Sequence, residues 1–169
     1  FQDALTREEM ANRLLGRMFP AFSLDDFSMN GLDTVDSPFD LRIKGRTFSL
    51  ATTTPDRIVL TPVLNASEVL AHVDERARVH PYYIIRPVNE SERYRFRLPE
   101  VYRSAVFDRK DSVQCAFGYA FVRVSKNAGE TELVVEKEVH VGAAKIAPAD
   151  YGEFIEFCER LQRAERRHI

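Results

Sequence analysis

From about residue 20 to residue 144 the apolar residues recur at every second position, and this period of two restricts the chain to β structure. Successive side chains of a strand point to opposite faces, so an alternating segment has one apolar face and one wet face. Phe39, Leu41 and Ile43 alternate with Asp40, Arg42 and Lys44, and Gly45 marks a bend or bulge. Ile58 and Leu60 run towards Pro62, which suits an edge strand or a strand end. Tyr94, Phe96 and Leu98 alternate with Arg93, Arg95 and Arg97 and stop at Pro99. Val113, Cys115, Phe117, Tyr119 and Phe121 share one face, with Ala116, Gly118 and Ala120 on the other. Leu133, Val135, Val139 and Val141 face a core, while Glu132, Glu136, Glu138 and His140 face away.

Lys126-Asn127-Ala128-Gly129 joins the last two runs with turn chemistry, so they form a hairpin. Asn30-Gly31 reads as a second turn. Seven or eight short strands separated by turns favour an antiparallel β-sandwich over a parallel sheet. Helices close both ends. Thr6 and Glu9 form a capping box before Ala11, Leu14, Leu15 and Met18, which places a helix over 6–18, ended before Pro20. Pro148 opens a second helix, over 148–166, with Tyr151, Phe154, Ile155, Cys158 and Leu161 on one face. Arg160, Arg163, Arg166 and Arg167 suit the negative pole of that helix. The expected organisation is a helix or connector at 1–19 and one β-sandwich domain at 20–169.

At 169 residues, 44% hydrophobic and 30% charged, the chain is long enough for a real core and ordinary for a globular protein. A net charge of −2 gives no general attraction to nucleic acid or to anionic membranes. No apolar run approaches the roughly 18 residues needed to cross a bilayer. Cys115 and Cys158 form neither a metal-ligand spacing nor a disulfide framework. The chain begins at Phe1 without a basic-then-apolar leader, which fits a processed product or a piece of a longer protein.

Several short motifs occur in order from about Phe19 to the end. They are Arg78-Val79-His80-Pro81-Tyr82, the strand ending Leu98-Pro99 with Tyr102 beyond it, Phe117-Gly118-Tyr119, and Pro148 followed by Tyr151, Phe154 and Phe157. This ordered set resembles the C-terminal β-rich domain of bacterial transglutaminase-like proteins, which carry a papain-type core and an N-terminal domain of unknown function. The resemblance implies a sandwich-like accessory domain without a cofactor, in a periplasmic or cell-envelope setting. Its implied partner is the transglutaminase-like core of the same polypeptide, with no nucleic acid and no membrane insertion. The catalytic Cys, His and Asp of such proteins belong to that core, so none is carried over to this chain.

Cys115, His140 and Asp150 stand in the order of a transglutaminase triad. A nucleophilic Cys needs a lowered pKa and a neighbouring base. The strand phase instead buries Cys115 as a small hydrophobe and turns His140 the other way. His72, His80, His140 and His168 have no zinc-like spacing and read as surface or hydrogen-bonded histidines. Asp25, Asp26, Asp33, Asp36 and Asp40 cluster around a turn but lack the Gly and terminal Glu of a calcium loop. Tyr82, Tyr83 and Tyr94 could line a sugar-binding surface, although aromatics on strands more often pack. The candidate ligand or partner surface is the stripe Arg93, Arg95 and Arg97, with cross-strand pairing to Glu132, Glu136 and Glu138 as the simpler reading. The functional expectation is a non-catalytic accessory domain. The alternatives are a free-standing peptide- or glycan-binding β-sandwich module and, against the strand phase, a thiol hydrolase using Cys115.

Overall fold

The alternating stretches become strands, all paired antiparallel. The computed structural model describes Glu9, Arg13 and residues 23–30, 40–47, 50–54, 57–60, 64–73 and 78–167. Glu9 and Arg13 are helical; the rest of the expected helix at 6–18, with Gly31, lies outside the described residues. The mainly β, antiparallel architecture with a C-terminal helix is the one the periodicity leads to, although ten strands are described where seven or eight were expected. The strands divide between two compact units, residues 1–63 with 168–169 and residues 64–167, where the sequence suggested a single domain from residue 20.

In the first unit β1 (Ser23–Asn30) pairs with β2 (Asp40–Arg46), and β3 (Ala51–Thr53) pairs with β4 (Ile58–Leu60). The register of the first pair slips by one residue opposite Gly45. The bulge expected there is present, but Asp25 on the partner strand is the extra residue. The Asp25 carboxylate accepts from the Arg46 guanidinium at 3.0 Å. Thr54 closes the second pair by donating to the Arg57 carbonyl from both its backbone N–H (2.8 Å) and its hydroxyl (3.2 Å).

The second unit is built on a four-stranded sheet. Its strands are β6 (Val88–Arg97), β7 (Phe107–Cys115), β8 (Gly118–Lys126) and β9 (Glu132–Val141), in the order β6-β9-β8-β7. A separate ribbon pairs β5 (Tyr82–Ile84) with β10 (Ala144–Ile146). The β8–β9 hairpin turns where expected, and Gly129 supplies a φ of 81° that side-chain-bearing residues rarely adopt. The connection from β6 to β7 crosses from one sheet edge to the other beneath this hairpin. Lys126 holds it there. Its buried ammonium donates to the carbonyls of Arg103, Ala105 and Asn127 at 3.0, 2.6 and 3.2 Å, one for each proton.

The run 113–121, read as one strand face, is two strands. Cys115 pairs with Gly118, so Ala116 and Phe117 form a two-residue turn. Such a turn reverses residue parity on a face. Val113 and Cys115 look towards the core, whereas the core side of β8 is Ala120, Val122 and Val124, and Tyr119 is exposed.

The helix α1 (Tyr151–Glu165) begins three residues after Pro148, which sits in the preceding turn and not in the first helical turn. Tyr151, Phe154, Ile155, Cys158 and Leu161 are all buried, as their spacing predicts. Phe157 and Ala164 are buried as well, because the helix touches both the sheet and the short 3-10 helix Glu68–His72. Burying Phe154, Ile155, Phe157 and Leu161 contributes roughly 6–12 kcal/mol before ordering costs, at about 1.5–3 kcal/mol each. These residues form one core with Val113, Ala120, Val139, Val141 and Ile146.

Candidate functional site

The sheet of the second unit sorts the candidate residues by face. Cys115 ends β7 on the core side, packed with the buried Cys158. Burial, with the nearby Cys115, pushes the Cys158 thiol up to about 12, so it stays protonated and inert. His140 lies on the opposite, solvent face. Its ring stacks on Tyr119 at 4.8 Å and meets Glu138 Oε1 at 2.7 Å and Asn89 Oδ1 at 2.8 Å. Asp150 is exposed, immediately before α1. The sheet therefore separates the thiols from the imidazole, and the three residues of the triad order do not meet.

Among the described residues no three of His, Cys, Asp and Glu converge as a metal site. Asp25 and Asp40 are engaged by Arg46 and Arg42, His80 is exposed, and Asp33, Asp36, His168 and the His72 side chain lie outside the described residues. Tyr82 packs against Tyr151 and Phe154 at 5.6 and 5.8 Å, with the Arg78 guanidinium 5.1 Å above its ring. Tyr94 donates its hydroxyl proton to Glu92 Oε2 at 2.8 Å, and burial together with that carboxylate raises its pKa. Both are held from within the fold. Tyr83 is exposed, with Lys145 5.8 Å from its ring.

Arg93, Arg95 and Arg97 lie on the solvent face of β6, an edge strand. Arg93 sits across from Glu136, with which it pairs at 3.4 Å, and Arg95 reaches Glu132 at 3.7 Å. Both pairs are well exposed, so each contributes at most about 1 kcal/mol. They quench most of the stripe's charge locally.

The strongest electrostatic feature lies on the other face. Lys137 continues the buried row of Leu133, Val135, Val139 and Val141, and its side chain is fully buried. Its ammonium is surrounded by Asn65 O at 2.7 Å, Glu92 Oε1 at 2.9 Å, Glu90 Oε2 at 3.1 Å and Glu165 Oε1 at 3.1 Å. An ammonium has three protons for these four oxygens, and Glu165 Oε1 is left without a hydrogen bond. Burial raises the pKa of Glu165 despite the nearby cation. Glu90 resists the same burial. Ser67 Oγ donates to it at 2.5 Å, the Glu68 backbone N–H donates at 2.7 Å, and these with Lys137 hold its pKa below the ordinary value. One lysine thus fastens β6, β9, the last turn of α1 and the 64–73 segment together. This arrangement is a fastening, since its ionisable groups face one another and not an open cavity.

The remaining conspicuous surface is apolar. Val79 and Ile85, each 87% exposed, lie on either side of β5 in the chain, Tyr83 within it is exposed, and Val101 and Val106 are exposed farther along.

The family description "Domain of Unknown Function with solved-structure structure (DUF3858)" matches residues 56–169. No curated protein and no solved structure matches the chain. The matched span takes in β4, the whole four-stranded sheet, the Lys137 cluster and the helix that closes the core, and on that extent the chain belongs to the DUF3858 family.

Proposed function

We propose that the chain is a non-catalytic accessory domain of a transglutaminase-like protein, packing on the papain-type core of the same polypeptide or presenting substrate to it. The separation of Cys115 and Cys158 from His140 by the thickness of the sheet carries this reading. A thiolate needs its base within hydrogen-bond reach, and here the base is committed to Glu138 and Asn89 on the far side. The exposed Val79, Tyr83 and Ile85 suit a surface that another domain covers. The order of motifs from Phe19 to Phe157 supports a transglutaminase-like core as that domain.

Iodoacetamide labelling of the folded chain tests the reading. Cys115 should label slowly, Cys158 only on unfolding, and the chain should show no amidase or acyl-transfer turnover. Rapid stoichiometric labelling of Cys115, with turnover abolished in Cys115→Ser, overturns it. In a parent protein containing the core, Ile85→Asp should lower the core's melting temperature while leaving the isolated chain's unchanged. No effect in the parent removes the packing surface from the proposal.

A further inference from the structure

The second edge of the sheet, β7, differs from the β6 edge in what stands beside it. Helix α1 runs back along β7. Glu153 near its start accepts from the Ala116 backbone N–H at 3.3 Å, and Arg167 beyond its end reaches Asp111 at 3.3 Å. Between these points lies an open groove of about 450 Å³, lined by Lys110, Asp111, Arg160, Arg163, Ala164 and Arg167. We propose that this groove binds an extended acidic peptide, which joins the sheet beside β7 as a fifth strand. The proposal stands on the second unit alone and holds whether or not the accessory-domain reading does.

The backbone supplies the first half of the argument. Cys115 and Gly118 flank a two-residue turn, so they exchange hydrogen bonds across the hairpin, as do Val113 and Asp111 with their partners on β8. The N–H and C=O groups of Asp108, Lys110, Ser112 and Gln114 then point away from β8, along the open edge. Strand addition uses such a row.

Charge supplies the second half. A strand laid beside β7 would project alternate side chains towards α1, where Arg160, Arg163 and Arg167 line the groove, and the others past Lys110. The single lining carboxylate, Asp111, is already shared by Arg109 at 3.1 Å and Arg167 at 3.3 Å. Neither Arg160 nor Lys110 has an ion pair among the described residues. This local excess of cations stands on a chain whose net charge is −2. Complementarity therefore selects acidic side chains. Arg160 and Arg163 are about 4.5 Å apart along the helix, and Arg167 lies just past its end. Strand residues two apart are about 6.6 Å apart, so carboxylates at alternate positions face this group of arginines in turn.

Two simpler readings leave residues unexplained. Edge cations deter unwanted strand pairing, but that concerns charges on the strand and does not explain the arginines of α1. The helix dipole favours a basic last turn, but Arg160 lies outside the last turn and Arg166 would serve the dipole without lining the groove.

The test is fluorescence anisotropy on the intact chain with a fluorescein-labelled nonapeptide of alternating Glu and Val. Binding should weaken as salt rises, and Arg160→Glu with Arg163→Glu should weaken it at least about tenfold. These side chains are exposed, so the variant should keep its fold, and Lys110→Glu gives a second, independent loss. A peptide with the same charges and every backbone nitrogen methylated has no N–H for either edge and should not bind. Equal binding of the N-methylated peptide overturns strand addition, and equal binding of a Lys-Val peptide overturns the charge argument. Binding of heparin without binding of the peptide would make the groove a polyanion site and refute the proposal.

Discussion

Replacing Lys137 by Met keeps the unbranched stem as far as the ε position and removes the ammonium, leaving Glu90, Glu92 and Glu165 facing one another without a cation. Removing one partner of a buried ion pair costs about 3–5 kcal/mol, because the remaining charge has lost both water and counter-ion. That is a large part of a domain's usual net stability of about 5–15 kcal/mol. The loss should depend on pH in a defined direction. In the wild type, Lys137 has a raised pKa, so its contribution is complete below the ordinary lysine value and is lost only as pH rises through the folded value. It is constant between pH 7 and pH 5. Glu90, with a lowered pKa, stabilises above the ordinary Glu value and loses that contribution as pH falls through the folded one. Glu165, with a raised pKa, does the reverse: folding favours its neutral form, and stability falls as pH rises through its folded value. Lys137 lowers the pKa of both Glu90 and Glu165, so without the cation both rise. The deficit of Lys137→Met should therefore be largest at pH 7 and shrink towards pH 5. Urea unfolding followed by far-UV circular dichroism at the two pH values measures it. A deficit below about 1 kcal/mol at pH 7, or one of equal size at both, refutes the reasoning.

Three further outcomes follow from packing. Phe154→Ala removes a fully buried ring from the centre of the core and should cost about 3–5 kcal/mol, read as a fall in the urea midpoint at unchanged slope. Gly118→Ala would drive a methyl group into the His140 carbonyl oxygen and the adjacent Val141 Cα, so it should destabilise by about 1–3 kcal/mol or more; an unchanged melting temperature would contradict the close β8–β9 approach. Arg93→Ala combined with Arg95→Ala should change stability by at most about 1 kcal/mol, measured by thermal melting.

What the sequence revealed followed from period and turn chemistry. The hairpin at Lys126–Gly129 and the inward row Leu133, Val135, Val139 and Val141 were legible because their spacing has a single structural solution. The turn at Ala116-Phe117 was hidden because apolar residues at 113, 115, 117, 119 and 121 continue the odd parity straight through it. Gly118 was the available signal, since two backbones approach closely there. Lys137 also occupied a visible place, between Val135 and Val139 in the inward row. Its charge hid it, because a lysine is almost never buried unless paired. The partners that permit its burial come from Glu90 and Glu92 on another strand and Glu165 on the helix, and no local pattern joins them.

The same logic bears on which sheet edge is available to a partner. The arginines of β6 are the most conspicuous charge pattern in the sequence, yet the fold sets β9 glutamates beside them, Glu136 against Arg93 and Glu132 near Arg95. Lys110 on β7 attracts no notice in the sequence. Its cross-strand neighbour is Arg123, which turns to Asp108 at 3.2 Å, and its other neighbours are the arginines of a helix fifty residues later. Like charges placed opposite one another destabilise a sheet. Lys110 is settled on the face of Phe121 at 4.5 Å, a contact that holds the side chain without cancelling its charge. The edge with the obvious stripe is thus the neutralised one. The positive charge left uncompensated at the other edge gives a partner both an electrostatic reason to approach and a row of backbone groups to pair with.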